Sequence, residues 1–324
     1  MNDQKRVLSG IQPSGTLHIG NYFGMMKPAL ALQENHQCFY FIADFHALTQ
    51  HPGPEELRNR VRGVALDFLA CGLDPEQTVF FRQSDVPEVT ELTWILSCYT
   101  PVGLMERCHS YKDKVARGLT PNLGLFSYPV LMASDILIYG SHLVPVGPDQ
   151  KQHLEVTRDV ASRFNHRYGD TFQLPDAIIQ TDIATVPGTD GQKMSKSYDN
   201  IIEIFGSKKQ IRKKIMRVVT DSTPIEAPKD PSKCTVFKLY SLLASEHEIE
   251  KMRAKYQAGG MGYGTAKQAL FEKYWEYFEP FRQKRAQLQE NHDYVENILQ
   301  TGAQKARNRA ADMLHRVKQT IGIR

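Results

Sequence analysis

Ser9-Gly10-Ile11-Gln12-Pro13-Ser14-Gly15-Thr16-Leu17-His18-Ile19-Gly20-Asn21 follows a short β-like run, Arg6-Val7-Leu8, and precedes an apolar, helix-forming segment, Tyr22-Phe23-Gly24-Met25-Met26. A strand that breaks into a glycine-rich turn and then a helix brings backbone N–H groups and a helix N-terminus to one point, a natural seat for phosphate. Gly10, Gly15 and Gly20 lack a Cβ, so a ligand can approach the backbone closely at each. The spacing is neither the dinucleotide fingerprint nor the P-loop. His18 on the first helical turn, with Gly20 and Asn21 beside it, suits donation to a phosphate as charge develops there. A capping histidine at an ordinary helix start fits the same residues.

The 324 residues allow one large α/β domain with a smaller second one. Apolar residues make up 41% and charged residues 23%, ordinary values for a soluble globular protein. The polar start, Met1 to Arg6, runs straight into a strand and does not read as a signal peptide, so a cytoplasmic protein is expected. No apolar run has the length of a membrane span. The five cysteines are scattered and never spaced as CxxC, which argues against a zinc site and a disulfide framework.

Further along, Cys38 to Ala43 reads as a buried strand ending at Asp44-Phe45-His46, and Pro54 opens a helix in which Leu57, Val61, Val64, Phe68 and Leu69 recur at helical spacing. Thr78 to Phe81 is the next strand and Glu88 to Cys98 the next helix. Strands alternating with helices predict a doubly wound parallel sheet whose ligands sit at the carboxyl ends of the strands, in the loops at 9–21, 44–46 and 82–86. A helix from Leu104 to Arg117 carries Lys112, Lys114 and Arg117, readable as a solvated basic face.

Ser127 to Tyr139 is almost wholly apolar apart from Asp135. On a helix Tyr128, Met132, Asp135 and Tyr139 share a face. A carboxylate in such surroundings needs a donor, whether an internal ion pair or a ligand N–H or O–H in an apolar pocket. Leu143 to Val146 is a strand leading to Gly147-Pro148-Asp149-Gln150, where Asp149 is placed to accept from ribose hydroxyls or to cap a helix, and Gln150 to reach a substrate. A turn-rich loop from Val186 then enters Lys193-Met194-Ser195-Lys196-Ser197. Two lysines three apart on a glycine-hinged loop suit a clamp on polyphosphate. Beyond it strands stop. The spans 211–219, 236–244, 266–289 and 303–321 read as helices, with basic clusters from Lys208 to Arg217 and from Lys305 to Lys318 that are either solvated faces or a grip on an RNA backbone.

His18-Ile19-Gly20-Asn21 resembles the HIGH element of class I aminoacyl-tRNA synthetases, and Lys193-Met194-Ser195-Lys196-Ser197 matches their KMSKS element residue for residue. Within that class the chain resembles the tryptophanyl family through residues 10–15, 42–47, 128–137 and 144–153. The tyrosyl family shares fold and signatures but typically places Gln where this chain has Met132, and a thioether wall fits an indole. Asn21 replaces the second His of the HIGH element, Leu8 stands where several bacterial members have Phe, and Phe45 replaces a common Gln.

The resemblance implies an α/β fold: a Rossmann-like doubly wound parallel sheet at 1–198, an inserted dimer-interface segment at about 92–128, and an all-helical tRNA-anticodon-binding domain at 199–324 whose last helix packs back on the first domain. It implies tryptophan activation by ATP with Mg²⁺, then transfer to tRNA(Trp), by a homodimer with no DNA or membrane partner. It assigns the indole N–H to Asp135, with Met132, Tyr128, His46, Val144 and Leu8 around the indole and Gln150 at the amino-acid end. ATP falls to Gln12, Pro13, Ser14, Gly20 and Asn21, to Gly147, Pro148 and Asp149, to Val186 near the adenine, and to Lys193, Met194, Ser195, Lys196 and Ser197. His18, Gln12, Lys114, Lys193 and Lys196 would stabilise charge in the reaction. Some relatives bind an iron–sulfur cluster through four C-terminal cysteines; only Cys234 lies in that region, so neither cluster nor zinc is expected. A tyrosyl enzyme, or a silent paralogue that only binds tRNA or tryptophan, is the alternative.

Overall fold

The computed structural model describes residues 4–108, 122–147, 151–179 and 186–323. Five strands, β1 (Arg6–Ile11), β2 (Gln37–Ile42), β3 (Thr78–Arg82), β4 (Leu143–Val146) and β5 (Asp176–Ile179), form an all-parallel sheet in the order β3-β2-β1-β4-β5. Side chains alternate along each strand, so a sheet covered on both faces buries residues of both sets, with Gly10, Gln37 and Asp176 left exposed near strand ends. Val7, Ile11, Cys38, Tyr40, Ile42 and Phe80 face one core, and Leu8, Phe39, Phe41, Phe81, Val144 and Val146 the other.

After β1 the chain passes through α1 (Ile19–Asn21) and a π-helical turn (Tyr22–Met26) into α2 (Lys27–Ala31). After β2 come the short α3 (Asp44–Ala47) and then α4 (Pro54–Ala70), with Pro54 on its first turn as read. After β3 come α5 (Glu88–Ser97) and α6 (Val102–Glu106), and α7 (Leu123–Ile138) leads to β4. The helix expected over 104–117 therefore has only its first part described, and the remainder, Lys114 included, lies outside the described residues. The helix α8 (Lys151–Tyr168) connects β4 to β5, an edge strand not read from the sequence. Its four residues follow Pro175 and carry too short an apolar run to stand out.

The C-terminal part is helical: α9 (Lys208–Met216), α10 (Thr235–Ser241), α11 (Glu246–Ala258), α12 (Tyr263–Tyr277), α13 (Glu279–Glu290) and α14 (His292–Thr320). The sequence reading missed α11, whose start is marked by the reciprocal Ser245–Glu248 capping box. The single helix expected over 266–289 is two, broken at Phe278 with Pro280 in the first turn of α13. The last helix begins at His292, well before Ala303. Ala303, Ala306 and Ala310 let α14 lie against the core beneath β3, and Gly302 touches the strand itself. A Cβ there would stand 1.9 Å from the Phe80 carbonyl oxygen. Arg82 fixes the approach through two hydrogen bonds to Glu296, at 2.9 and 2.6 Å. This covers the edge of β3, which would otherwise present unpaired backbone groups.

Candidate active site

A cavity of about 440 Å³ opens at the carboxyl ends of β1, β2 and β4. Leu8, His46, Tyr128, Met132, Asp135 and Val144, all singled out in the sequence, line it together, and Gln12 of the opening loop stands at its edge. Tyr139, expected on the same helix face, instead ends α7 in the core, stacked on Phe39 with ring centroids 5.3 Å apart. Eleven residues are almost three whole turns, so Tyr139 keeps the direction of the stripe, but it stands one turn beyond Asp135, about 6 Å further along the axis, and does not line the cavity.

Asp135 is 1% exposed and has two donors. His46 Nε2 lies 2.9 Å from Oδ2, and Gln83 Nε2 lies 2.9 Å from each carboxylate oxygen. Burial above all holds the carboxyl higher than its usual range, with Asp44 adding to the rise and the hydrogen bonds from His46 and Gln83 opposing it. Asp44 is itself tied to the loop after β3, accepting from Ser84 N at 3.0 Å and Ser84 Oγ at 2.5 Å. Across the cavity the Tyr128 hydroxyl pairs with His153 Nε2 at 2.7 Å. The walls are mainly apolar, with polar groups of Ser9, Gln12, His46, Thr49, Tyr128 and His153 among them, and Asp135 is the one acid that lines them.

At the opening loop His18 is the N-cap of α1. Its Nδ1 accepts from Asn21 N at 3.2 Å, while Asn21 Oδ1 accepts from His18 N at 3.4 Å. With Nδ1 accepting, the neutral ring carries its proton on Nε2, which is then the donor. Burial first, and the Lys196 ammonium second, pull His18 down to about 4, with Glu203 opposing. The ring is neutral near pH 7. Gly20 makes room for it, because a Cβ there would stand 2.9 Å from Nδ1 and 3.2 Å from Met194 Cβ.

Of the three loop glycines read as admitting a ligand, Gly10 is exposed and lines the cavity, while side chains take up the Cβ side of Gly10 and of Gly20. The Phe41 ring occupies the space over Gly10, 2.5 Å from where its Cβ would be, and His18 and Met194 occupy that over Gly20. Of the three, Gly15, at φ +100°, leaves its face open, with Lys196 Nζ the nearest atom at 3.7 Å.

The lysine loop reaches the opening loop directly, since Lys196 Nζ donates to Ser14 O at 3.0 Å. Desolvation and then Arg60 hold this ammonium below its usual range, and Asp67 opposes them. Ser195 caps the turn of Lys196 and Ser197, while Met194 and Val186 turn into the core, where Met194 N donates to Val186 O at 3.0 Å. Residues 202–204 run beside 17–19, with Ile19 N on Ile202 O and Ile204 N on Leu17 O. Buried Asn200 fastens the loop from inside: its Oδ1 accepts from Ser195 N at 2.7 Å, and its Nδ2 donates to Asp190 Oδ1 and to Lys193 O. Lys193 is exposed, Pro13 is buried, and Gly147 is the last described residue after β4. Pro148, Asp149 and Gln150 lie outside the described residues.

Sequence reasoning missed Gln83 and Asn200. Gln83 stands at the carboxyl end of β3, in a loop already marked as a ligand edge, so position alone offered a signal. Asn200 follows the lysine loop with no local cue to burial. Among the described residues no group of three or more His, Cys, Asp or Glu is placed to hold a metal, and no helix is long and apolar enough to cross a membrane.

A parallel sheet, a capping histidine at the first crossover, and a lysine–serine loop docked on it define a class, and residues 1–279 match its family: the chain belongs to the class I tRNA synthetases for W and Y. The tryptophan–tRNA ligase of Rhodopirellula baltica is 56% identical over 98% of this chain and 100% of its own length. That of Fusobacterium nucleatum is 53% identical over 98% of both chains. The crystal structure of tryptophanyl-tRNA synthetase from Campylobacter jejuni complexed with ADP and tryptophan superposes with a TM-score of 0.95, at 49% identity, covering 98% of this chain and 100% of that one.

Proposed function

We infer that this chain is a tryptophan–tRNA ligase. The observation that carries the substrate is buried Asp135, the one acid lining a mainly apolar cavity. An indole has one N–H donor and no acceptor, and this carboxylate gives the wall a matching acceptor at one point. Tryptophan's carboxylate attacks the α-phosphorus of ATP, giving tryptophanyl-adenylate and pyrophosphate, and a ribose hydroxyl of the terminal adenosine of tRNA(Trp) then takes the acyl group with release of AMP. The substrate is its own nucleophile. The protein's part is positioning and stabilisation of charge, with His18 Nε2–H and the Lys196 ammonium as donors near the opening loop.

Met132, Tyr128, His46, Val144 and Leu8 would enclose the indole and Gln150 would meet the amino-acid end. Gln12, Pro13, Ser14, Gly20, Asn21, Gly147, Pro148, Asp149, Val186 and residues 193–197 would hold ATP, with Lys114 and Lys193 joining its phosphates. The inward turn of Val186 and Met194 leaves their backbone, rather than their side chains, for that role. Mg²⁺ would arrive on the ATP phosphates and would supply charge neutralisation there.

The division at about residue 198, with basic helices such as α9 toward the anticodon, is part of the same proposal, as is a cytoplasmic setting. A second copy of the chain would cover Trp94 and Leu123, 73% and 79% exposed, together with Val102. Light scattering should give twice the chain mass, and a monomer would contradict this. Incubation with ATP, labelled tryptophan and total tRNA should yield acid-precipitable aminoacyl-tRNA. Adenylate formation without transfer to tRNA would rule out the ligase.

A further inference from the structure

We propose that Gln83 is a specificity-determining positioning residue: its carboxamide, locked in one orientation, keeps Asp135 a pure acceptor, so that the cavity demands an N–H from its occupant.

The lock comes from the other end of the amide. Phe45 N is a backbone donor shared between Gln83 Oε1 and Asp44 Oδ1, 3.1 Å from each, and only an oxygen can accept there. Nε2 must therefore face Asp135, where it lies 2.9 Å from both oxygens. Turning the amide over would set its NH₂ against the Phe45 N–H and its carbonyl against the carboxylate, two repulsive contacts. At 1% exposure Gln83 has no solvent to relieve either.

Asp135 thus meets donors from two elements, Gln83 after β3 and His46 on α3. A carboxylate has about four acceptor positions, and those two neighbours leave one for the cavity. The other titratable groups facing it are Asp44 at the head of α3 and Tyr139 at the end of α7, with the Tyr128–His153 pair across the cavity. Asp44 disfavours a second negative charge. A neutral double donor offsets that repulsion without adding a cation that would compete with the ligand for the carboxylate. Once Asp135 is fixed in this form, an occupant lacking the N–H leaves the last acceptor position of a buried carboxylate unfilled, and that is where the site discriminates.

This inference rests on the cavity being the tryptophan seat, and it is tested with the full chain by ATP–pyrophosphate exchange. Two substrates are compared: tryptophan, and the isostere in which sulfur replaces the indole N–H, β-(3-benzothienyl)alanine. Gln83→Met should lower kcat/KM for tryptophan about 10- to 100-fold, the usual worth of a hydrogen bond to a buried charge. The isostere should change little, so the ratio of the two collapses. Gln83→Glu is the second variant. When protonated, the introduced carboxyl donates as the amide does, so the KM of this variant for tryptophan should approach the wild-type value at about pH 5.5. It should climb toward about pH 8, where two carboxylates oppose each other.

Equal losses for both substrates in Gln83→Met, with a KM in Gln83→Glu that is flat in pH, would show a merely structural role and overturn the proposal. If Gln83→Met does not fold, the Gln83→Glu profile decides alone. Absence of tryptophan-dependent exchange in the wild type would instead overturn the functional reading, a result distinct from an unchanged ratio.

Discussion

Replacing Gly20 with Ala separates activity from stability in a way the geometry makes quantitative. The new Cβ would stand 2.9 Å from His18 Nδ1, 3.1 Å from His18 Cε1 and 3.2 Å from Met194 Cβ, all inside ordinary contact distance. The imidazole is the softer neighbour, so it must swing away by about half an ångström or more, which breaks the cap from Asn21 N. Loss of a cap costs about 1 kcal/mol. Ala for Gly inside a helix returns about 1 kcal/mol, so the two nearly cancel and the melting temperature should barely move.

Catalysis has no such compensation. A donor displaced by about 1 Å can lose about 100-fold in rate, near 2.7 kcal/mol of barrier. Pyrophosphate exchange at saturating tryptophan measures that loss, and calorimetric titration should show tryptophan affinity unchanged, because the indole cavity lies on other residues. Exchange within about threefold of wild type, or a matching loss of tryptophan affinity, would refute the placing of His18 at the reacting phosphate.

Two further outcomes follow from the same site. Lys196→Ala removes the ammonium that bridges to Ser14 O and should slow adenylate formation in single-turnover assays by about 100-fold or more while tryptophan binding is preserved; comparable single-turnover rates would contradict its role. His18 is held near 4 when folded against 6.5 in an open chain, so between those values the unfolded chain binds the extra proton and stability falls as pH drops from 6.5 toward 4. His18→Gln should remove that part of the slope in denaturant melts, and an unchanged slope would contradict the burial argument.

The sheet and the cavity were legible in the sequence for different reasons. Buried parallel strands such as Cys38 to Ile42 announce themselves as apolar runs, and the turn after β1 announces itself by its glycines. Local pattern cannot say what fills the space a glycine leaves. Gly10 was read as access for a ligand and does line the cavity, but its missing Cβ also makes room for Phe41, a residue from the neighbouring strand. Gly302 escaped notice because its reason is the Phe80 carbonyl. Asp135 could be read as needing a partner because an isolated acid in an apolar run has no local one. Which donors supply it, His46 and Gln83, depends on two loops meeting above adjacent strands. The helical part was read least well, since Ser245 and Pro280 punctuate it while amphipathic periodicity runs on through both.

The measurement closest to the central claim is ATP–pyrophosphate exchange by the purified chain with each of the twenty amino acids in turn. One carboxylate in a mainly apolar cavity beside a histidine-capped helix predicts exchange with tryptophan alone. Exchange with tyrosine in its place, or with no amino acid at all, would contradict it.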